Sequence, residues 1–222
     1  MTLPPGYKSY GLTGASNTAD GWHPVYDLWF PPELAAIDLD GYRRISDRWF
    51  DGSTNASLLP FEPLVEAAMR GELDQWLASP RGRLSLILVL DQFPRGLWAG
   101  TRRAFEYDLQ ALAITKEGLR NGQYDALEYS WEKVFFTLPL IHAEGPDQLE
   151  RAEQMIALTK ARLDLGPMHL LPAREAGLTR AYQNRDVIAR FGRHPHRNAV
   201  LGRASTPEEV AYIELGDFPH KR

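Results

Sequence analysis

The sequence predicts an all-α protein built as a compact multi-helix array. Three observations carry that prediction. The long apolar segments recur at helical spacing, proline and glycine punctuate them at helix starts and stops, and no two segments offer strands that would pair. The 222 residues suit one domain, and 44% hydrophobic with 24% charged residues is ordinary globular usage.

Residues 1–24 contain Pro4, Pro5, Gly6, Gly11 and Gly14 and read as an irregular arm, leaving 25–222 as a single helical domain. The arm lacks the basic start and apolar centre of a secretory signal. Tyr26, Trp29, Phe30, Trp49 and Phe50 then read as large anchors of a helical core. After a turn at Asp51–Asn55, Pro60 and Pro63 stand where a helix starts. Phe61, Leu64, Val65, Ala68 and Met69 supply its inner face, and Gly71 stops it.

Leu84–Leu90 admits two readings. A buried parallel strand ending at Asp91 would need neighbours of its own kind, joined by crossover helices. The other long apolar run, Lys133–Ile141, reads instead as helix: Trp131, Val134, Phe135, Leu138, Ile141 and His142 fall on one face, and Pro139 opposes a central strand. Leu84–Leu90 is therefore expected to be a buried helix, capped by Ser79 with Pro80 in its first turn. Pro94 should end it before Phe93, leaving Asp91 in the last turn, against the negative end of the helix dipole.

Later elements follow the same logic. Thr101–Arg120 turns Phe105, Leu109, Leu112 and Leu119 inward and ends at Asn121–Gly122. Asp147–Leu163 turns Leu149, Ala152, Ile156 and Leu163 inward, with Glu150, Arg151, Glu153 and Arg162 outward. Arg174–Arg190 ends at Gly192, and Thr206-Pro207-Glu208-Glu209 is a capping box that opens a final helix. No 34-residue self-similarity appears, so a regular repeat is not indicated.

Composition excludes several functions. With 25 Lys and Arg against 29 Asp and Glu, the formal charge of −4 opposes general nucleic-acid binding. The apolar runs fall well short of the ~20 residues that span a bilayer. Cysteine is absent, which removes disulfides, thiolate catalysis and cysteine metal sites. A soluble cytoplasmic protein is the expectation, without cofactor or metal, and without nucleic-acid or membrane partners.

Three polar segments are candidates for chemistry. Asp91, Gln92 and Arg95 follow the first buried helix; His142 and Glu144 follow the Pro139 kink; Arg193, His194, His196, Arg197 and Asn198 form an unusually His- and Arg-rich loop. Each costs stability without a partner, so they are expected to converge. Three readings stay open. Arg193 and Arg197 can clamp Asp91 and Glu144 within the protein, or bind a carboxylate or phosphate as forked donors. Metal ligation by His142, Glu144 and His196 is the third, opposed by the adjacent arginines. In a catalytic version His142 is the general acid/base and Glu144 orients it. His-x-Glu deaminase chemistry is excluded by the missing cysteines.

At these residues the chain resembles a bacterial family known as domain of unknown function 924. The resemblance spans roughly Val25 to Ile213. It rests on Asp27-Leu28-Trp29-Phe30, Asp91–Arg95, Leu138-Pro139 with His142 and Glu144, and Arg190–Asn198 with Leu201-Gly202-Arg203. It implies a compact all-helical fold related to tetratricopeptide-like arrays, and no established reaction. Where members commonly have asparagine, serine and an aromatic residue, this chain has Gly96, Ala143 and His194. The leading expectation is a small phosphate- or carboxylate-bearing ligand in a polar pocket. The alternative is a protein-interaction scaffold whose polar cluster is structural.

Overall fold

Serine, threonine and proline at helix starts, and glycine at helix stops, divide the chain into short helices wrapped around one buried aromatic and aliphatic core. The computed structural model describes residue 18 and residues 20–216, and within them every regular element is helical. Most of the irregular arm read over 1–24 lies outside the described residues. Its end differs from expectation, because helix α1 (His23–Trp29) starts inside it and Trp22 is buried.

The N-terminal layer is α1, α2 (Leu39–Phe50), α3 (Asn55–Leu58) and α4 (Glu62–Met69). Asp38 caps α2, its carboxylate accepting from the Gly41 amide at 2.7 Å. Trp29, Phe30 and Trp49 meet Phe135 edge-on at centroid distances of 5.5, 5.6 and 4.9 Å, geometry that suits the aromatic quadrupole. Phe50 stacks on Phe135 too, but from a part-exposed position.

The central element is α5 (Pro80–Ile87), which packs on α1 and on α7 (Asp108–Arg120) and α8 (Ser130–Thr137). Ser79 Oγ accepts from the Gly82 amide at 3.1 Å and Pro80 occupies the first turn, as the sequence predicts. The helix does not stop before Phe93. It widens into a π turn over Leu88–Gln92, where Phe93 N donates to Leu88 O, and continues as α6 (Phe93–Leu97). Phe93 itself stays helical, at φ −61° and ψ −43°. Proline inside an α-helix lacks a donor and clashes with the carbonyl four residues back; the widened turn relieves that conflict. Asp91 therefore sits inside a continuous helical rod, not at its negative end.

Helix α9 (Pro139–His142) continues α8 through a helical Leu138, and Ala143 then leaves in extended conformation. Helices α10 (Gln148–Ala161) and α11 (Leu171–Phe191) pack together, and α11 stops at Gly192 with φ +67°. Short α12 (Asn198–Leu201) and the capping-box helix α13 (Pro207–Leu215) complete the array.

Two periodicity readings fail in an informative way. Thr101–Arg120 is not one helix: a 3-10 turn at Arg102–Phe105 precedes α7, which leaves Leu109 66% exposed. On α10, Leu149 faces outward while Arg151 and Arg162 are buried. The arginines point inward because carbonyls and a phenol there need donors. Arg151 donates to Ala143 O at 2.8 Å and to Leu140 O, and Arg162 bonds to Tyr124.

Candidate functional site

The π turn aims Asp91, Gln92 and Arg95 at the end of α9. Asp91 is 0% exposed, and both of its carboxylate oxygens lie 2.9 Å from His142 Nδ1. An imidazole nitrogen facing a carboxylate carries the proton, so His142 is held with hydrogen on Nδ1. Gln92 Nε2 also donates to this carboxylate, and Arg95 Nη1 approaches Asp91 Oδ1 at 3.2 Å. Burial works to raise the Asp91 pKa, but Arg95 and His142 outweigh it and hold the carboxyl well below the usual range. For His142 the balance runs the other way: burial lowers its pKa and dominates the opposing pull of Asp91.

The second carboxylate of the cluster is Asp108, at the start of α7. Arg95 Nη2 lies 2.8 Å from its Oδ1, and Arg197 Nη1 lies 2.9 Å from its Oδ2. Arg197 Nη1 also donates to His142 O at 2.9 Å. Both guanidinium groups cover the Phe105 ring, at 5.5 Å for Arg95 and 4.3 Å for Arg197. The sequence reading missed Asp108 because it was placed inside an unbroken helix. The overlooked signal is a carboxylate at a helix start, three residues after Phe105 and close behind the Arg102–Arg103 pair.

A third layer lies nearer the surface. Glu144 Oε1 accepts from the His194 amide at 2.8 Å, and Arg203 grips the same carboxylate through Nη1 and Nη2. Burial raises the Glu144 pKa, yet Arg203, the amide and Arg197 together bring it below its ordinary value. Arg203 Nε donates to Asn198 Oδ1 at 3.0 Å, and Asn198 Nδ2 donates to Glu209 Oε2 at 3.2 Å. Arg193 binds Glu209 through both Nε at 2.7 Å and Nη2 at 2.8 Å. Glu209 thus closes the capping box and anchors the loop together.

The three segments meet, with different pairings from those expected. Asp91, not Glu144, orients His142. Arg197 bonds to Asp108 and not to Asp91 or Glu144, and Arg193 bonds to Glu209 in place of either. Arg203, outside the His- and Arg-rich loop, is the cation of Glu144. His194 is fully buried, its Nε2 2.8 Å from Ile141 O and 3.0 Å from Gln148 Nε2. His196 sits beside it, rings 5.4 Å apart, and is partly exposed. Among the described residues no group of three or more His, Asp or Glu side chains is placed to hold a metal, and His142, Glu144 and His196 do not form one.

Fold and site together define an all-helical protein with a buried Asp–His pair inside a network of arginine–carboxylate contacts. Residues 25–217 match the family model described as a bacterial protein of unknown function (DUF924). The chain belongs to that family. It is also similar to a solved structure, the protein of unknown function ATU0120 from Agrobacterium tumefaciens. The two are 32% identical, with 88% of this chain and 97% of that chain covered, at a TM-score of 0.67. Comparison with curated proteins found no match. No helix among the described residues is long and apolar enough to cross a membrane.

Proposed function

We propose that the protein binds a small phosphate- or carboxylate-bearing ligand at the edge of this cluster, where His196 reaches solvent. The surroundings of His196 carry the reading. Burial, then Arg197, His142, Arg95 and Arg203, push its pKa down to about 3. Burial opposes any charge there, but the three nearby arginines, Arg197, Arg95 and Arg203, oppose a proton and favour an anion. Arg197 adds a second reason, since its buried Nε has no hydrogen-bond partner. Leaving such a donor unmatched costs ~1–3 kcal/mol, which a ligand oxygen would offset. In a catalytic form of this reading His142 moves the proton and Asp91 holds its tautomer. A cytoplasmic location, suited to a cysteine-free chain, belongs to the same proposal.

Histidine-ring NMR titration tests it, using inorganic phosphate, pyrophosphate, acetate and citrate as probes at constant ionic strength. A bound anion should raise the pKa of His196, and Arg197→Gln should abolish the response. A wild-type protein whose His196 ignores the whole panel would reject the ligand site.

One observation favours a second reading. Arg95, Arg197, Arg203 and Arg193 each meet a carboxylate inside the protein. On that reading the cluster is a structural clamp, and the helical array serves as an interaction scaffold of tetratricopeptide-like kind. A depression of about 370 Å³ lined by Glu33, Ile37, Gly41, Arg44, Ile45 and Arg48 would then be a contact point for an acidic partner with an apolar anchor. Binding of such a peptide, lost on Arg44→Glu with His196 silent to every anion, would favour the scaffold.

A further inference from the structure

A second group of cations lies outside the cluster just described, and its charges are not balanced in the same way. Arg162 ends α10 and is 4% exposed; Arg174 lies in the first turn of α11 and is 8% exposed. Arg174 Nε donates to Leu163 O at 2.7 Å and its Nη1 to Pro167 O at 3.0 Å, while its Nη2 has no partner. Arg162 bonds to Tyr124, while its Nη1 likewise has none. Both guanidinium groups act on the hydroxyl of Tyr42. Lys133 belongs to the same neighbourhood: its Nζ donates to Tyr124 O at 2.9 Å and lies 4.6 Å from the Tyr124 ring centroid.

Counter-charge is scarce. Among the described residues no ion pair joins Arg162, Arg174 or Lys133 to a carboxylate. Asp125 and Glu132 act on Lys133, but Glu132 is already held by Arg81 Nε at 2.7 Å and by the Tyr26 hydroxyl. The tyrosines cannot substitute. Burial pushes Tyr42 up to about 12, despite the two arginines, and raises Tyr124 as well, so both stay neutral near pH 7. Buried, unmatched charge is costly, and a guanidinium does not escape by losing its proton.

We propose that Arg162 and Arg174 form a binding site for a compact oxyanion, with the Tyr42 hydroxyl as a third donor. The two unpartnered guanidinium nitrogens, from the end of one helix and the start of the next, provide forked donors of the kind that hold phosphate or carboxylate. An anion there would join α10 to α11 and place a negative charge where no carboxylate of the described residues pairs with either arginine. The shared chemistry is an oxyanion, whether free phosphate or a phosphate carried on a larger molecule.

Isothermal titration of the whole chain decides the matter, with inorganic phosphate, phenyl phosphate and chloride compared at one ionic strength. Saturable phosphate binding is expected, at least tenfold weaker in Arg162→Lys and in Arg174→Lys, several-fold weaker in Tyr42→Phe, and retained in Arg197→Gln. Phenyl phosphate binding at the same site would identify a carried phosphate; its exclusion would identify the free ion. Phosphate binding in the wild type that does not exceed chloride overturns the proposal, even if the arginine variants fail to fold. Binding that survives Arg162→Lys but disappears in Arg197→Gln also overturns it and assigns the anion to the His196 edge.

Discussion

Arg197 Nη1 lies 2.9 Å from Asp108 Oδ2, and this contact joins positions 89 residues apart. Because Arg95 shares the same carboxylate, one small side chain holds two guanidinium groups and, through Arg197, the carbonyl of His142. Asp108→Ala strands Arg197 and leaves Arg95 with Asp91 as its remaining carboxylate. Removing one partner of a buried pair costs about 3–5 kcal/mol, and that loss is expected in urea denaturation. A loss below about 1 kcal/mol would show that solvent already screens the pair.

Acid should destabilise the protein before its carboxylates titrate. His142 and His196 both have folded pKa values below the ordinary 6.5, with His196 near 3. The unfolded chain therefore binds more protons between those limits, so stability is complete above about pH 6.5 and falls as pH drops toward 3. The slope approaches about 1.4 kcal/mol per pH unit for His196, and His142 adds to it in the same direction. Urea midpoints at pH 7, 5.5 and 4.5 should decline steadily, and His196→Gln should flatten the decline. An unchanged profile in that variant would contradict the burial of His196 among cations.

Gly82 is required by a close approach. A β-carbon there would press into the Trp76 carbonyl oxygen and lie 2.7 Å from Ser79 Oγ, the atom that caps α5. Backbone cannot swing aside as a side chain can. Gly82→Ala is expected to cost ~1–3 kcal/mol by overpacking, although alanine is the better helix former. A stabilised variant would refute the crowding.

Arg151 tests the role of a buried arginine as a cap. It donates to Ala143 O and Leu140 O at the end of α9 and lies 3.0 Å from Asp147 Oδ1. Arg151→Met retains the stem and removes the donors. Each unsatisfied buried acceptor costs about 1–3 kcal/mol, so the variant should lose at least that much. Hydrogen exchange should quicken first around Pro139–Ala143; protection unchanged there would rule out the cap.

Much of the fold is legible because its signals are local. Ser79 with Pro80, Gly192 and the Thr206–Glu209 box each act within one helical turn, and the structure uses each as read. What the sequence conceals is which distant group each charge meets. Arg151 and Arg162 look like solvent-facing residues on a helical wheel, because hydropathy cannot register a carbonyl or phenol waiting in the core. Asp108 escaped for a related reason: a two-residue break before it shifts the phase of α7, and the same break exposes Leu109. Spacing could suggest that Asp91, His142 and Arg197 converge. It could not reveal that the arginine prefers Asp108, since that choice depends on packing angles between α6, α7 and α9.

The wide turn at Leu88–Gln92 amounts to one extra residue spliced into a rod that otherwise keeps α-helical phase. In an unbroken α-helix an added residue rotates everything beyond it by roughly 100° about the axis. The wide turn absorbs that rotation, so Phe93 and Arg95 keep the faces set by the residues before Leu88. Removing one residue, such as Val89, would leave those faces in place but return Pro94 to an ordinary α-turn, against the carbonyl four residues back. A relative that lacks one position here should therefore also lack the proline.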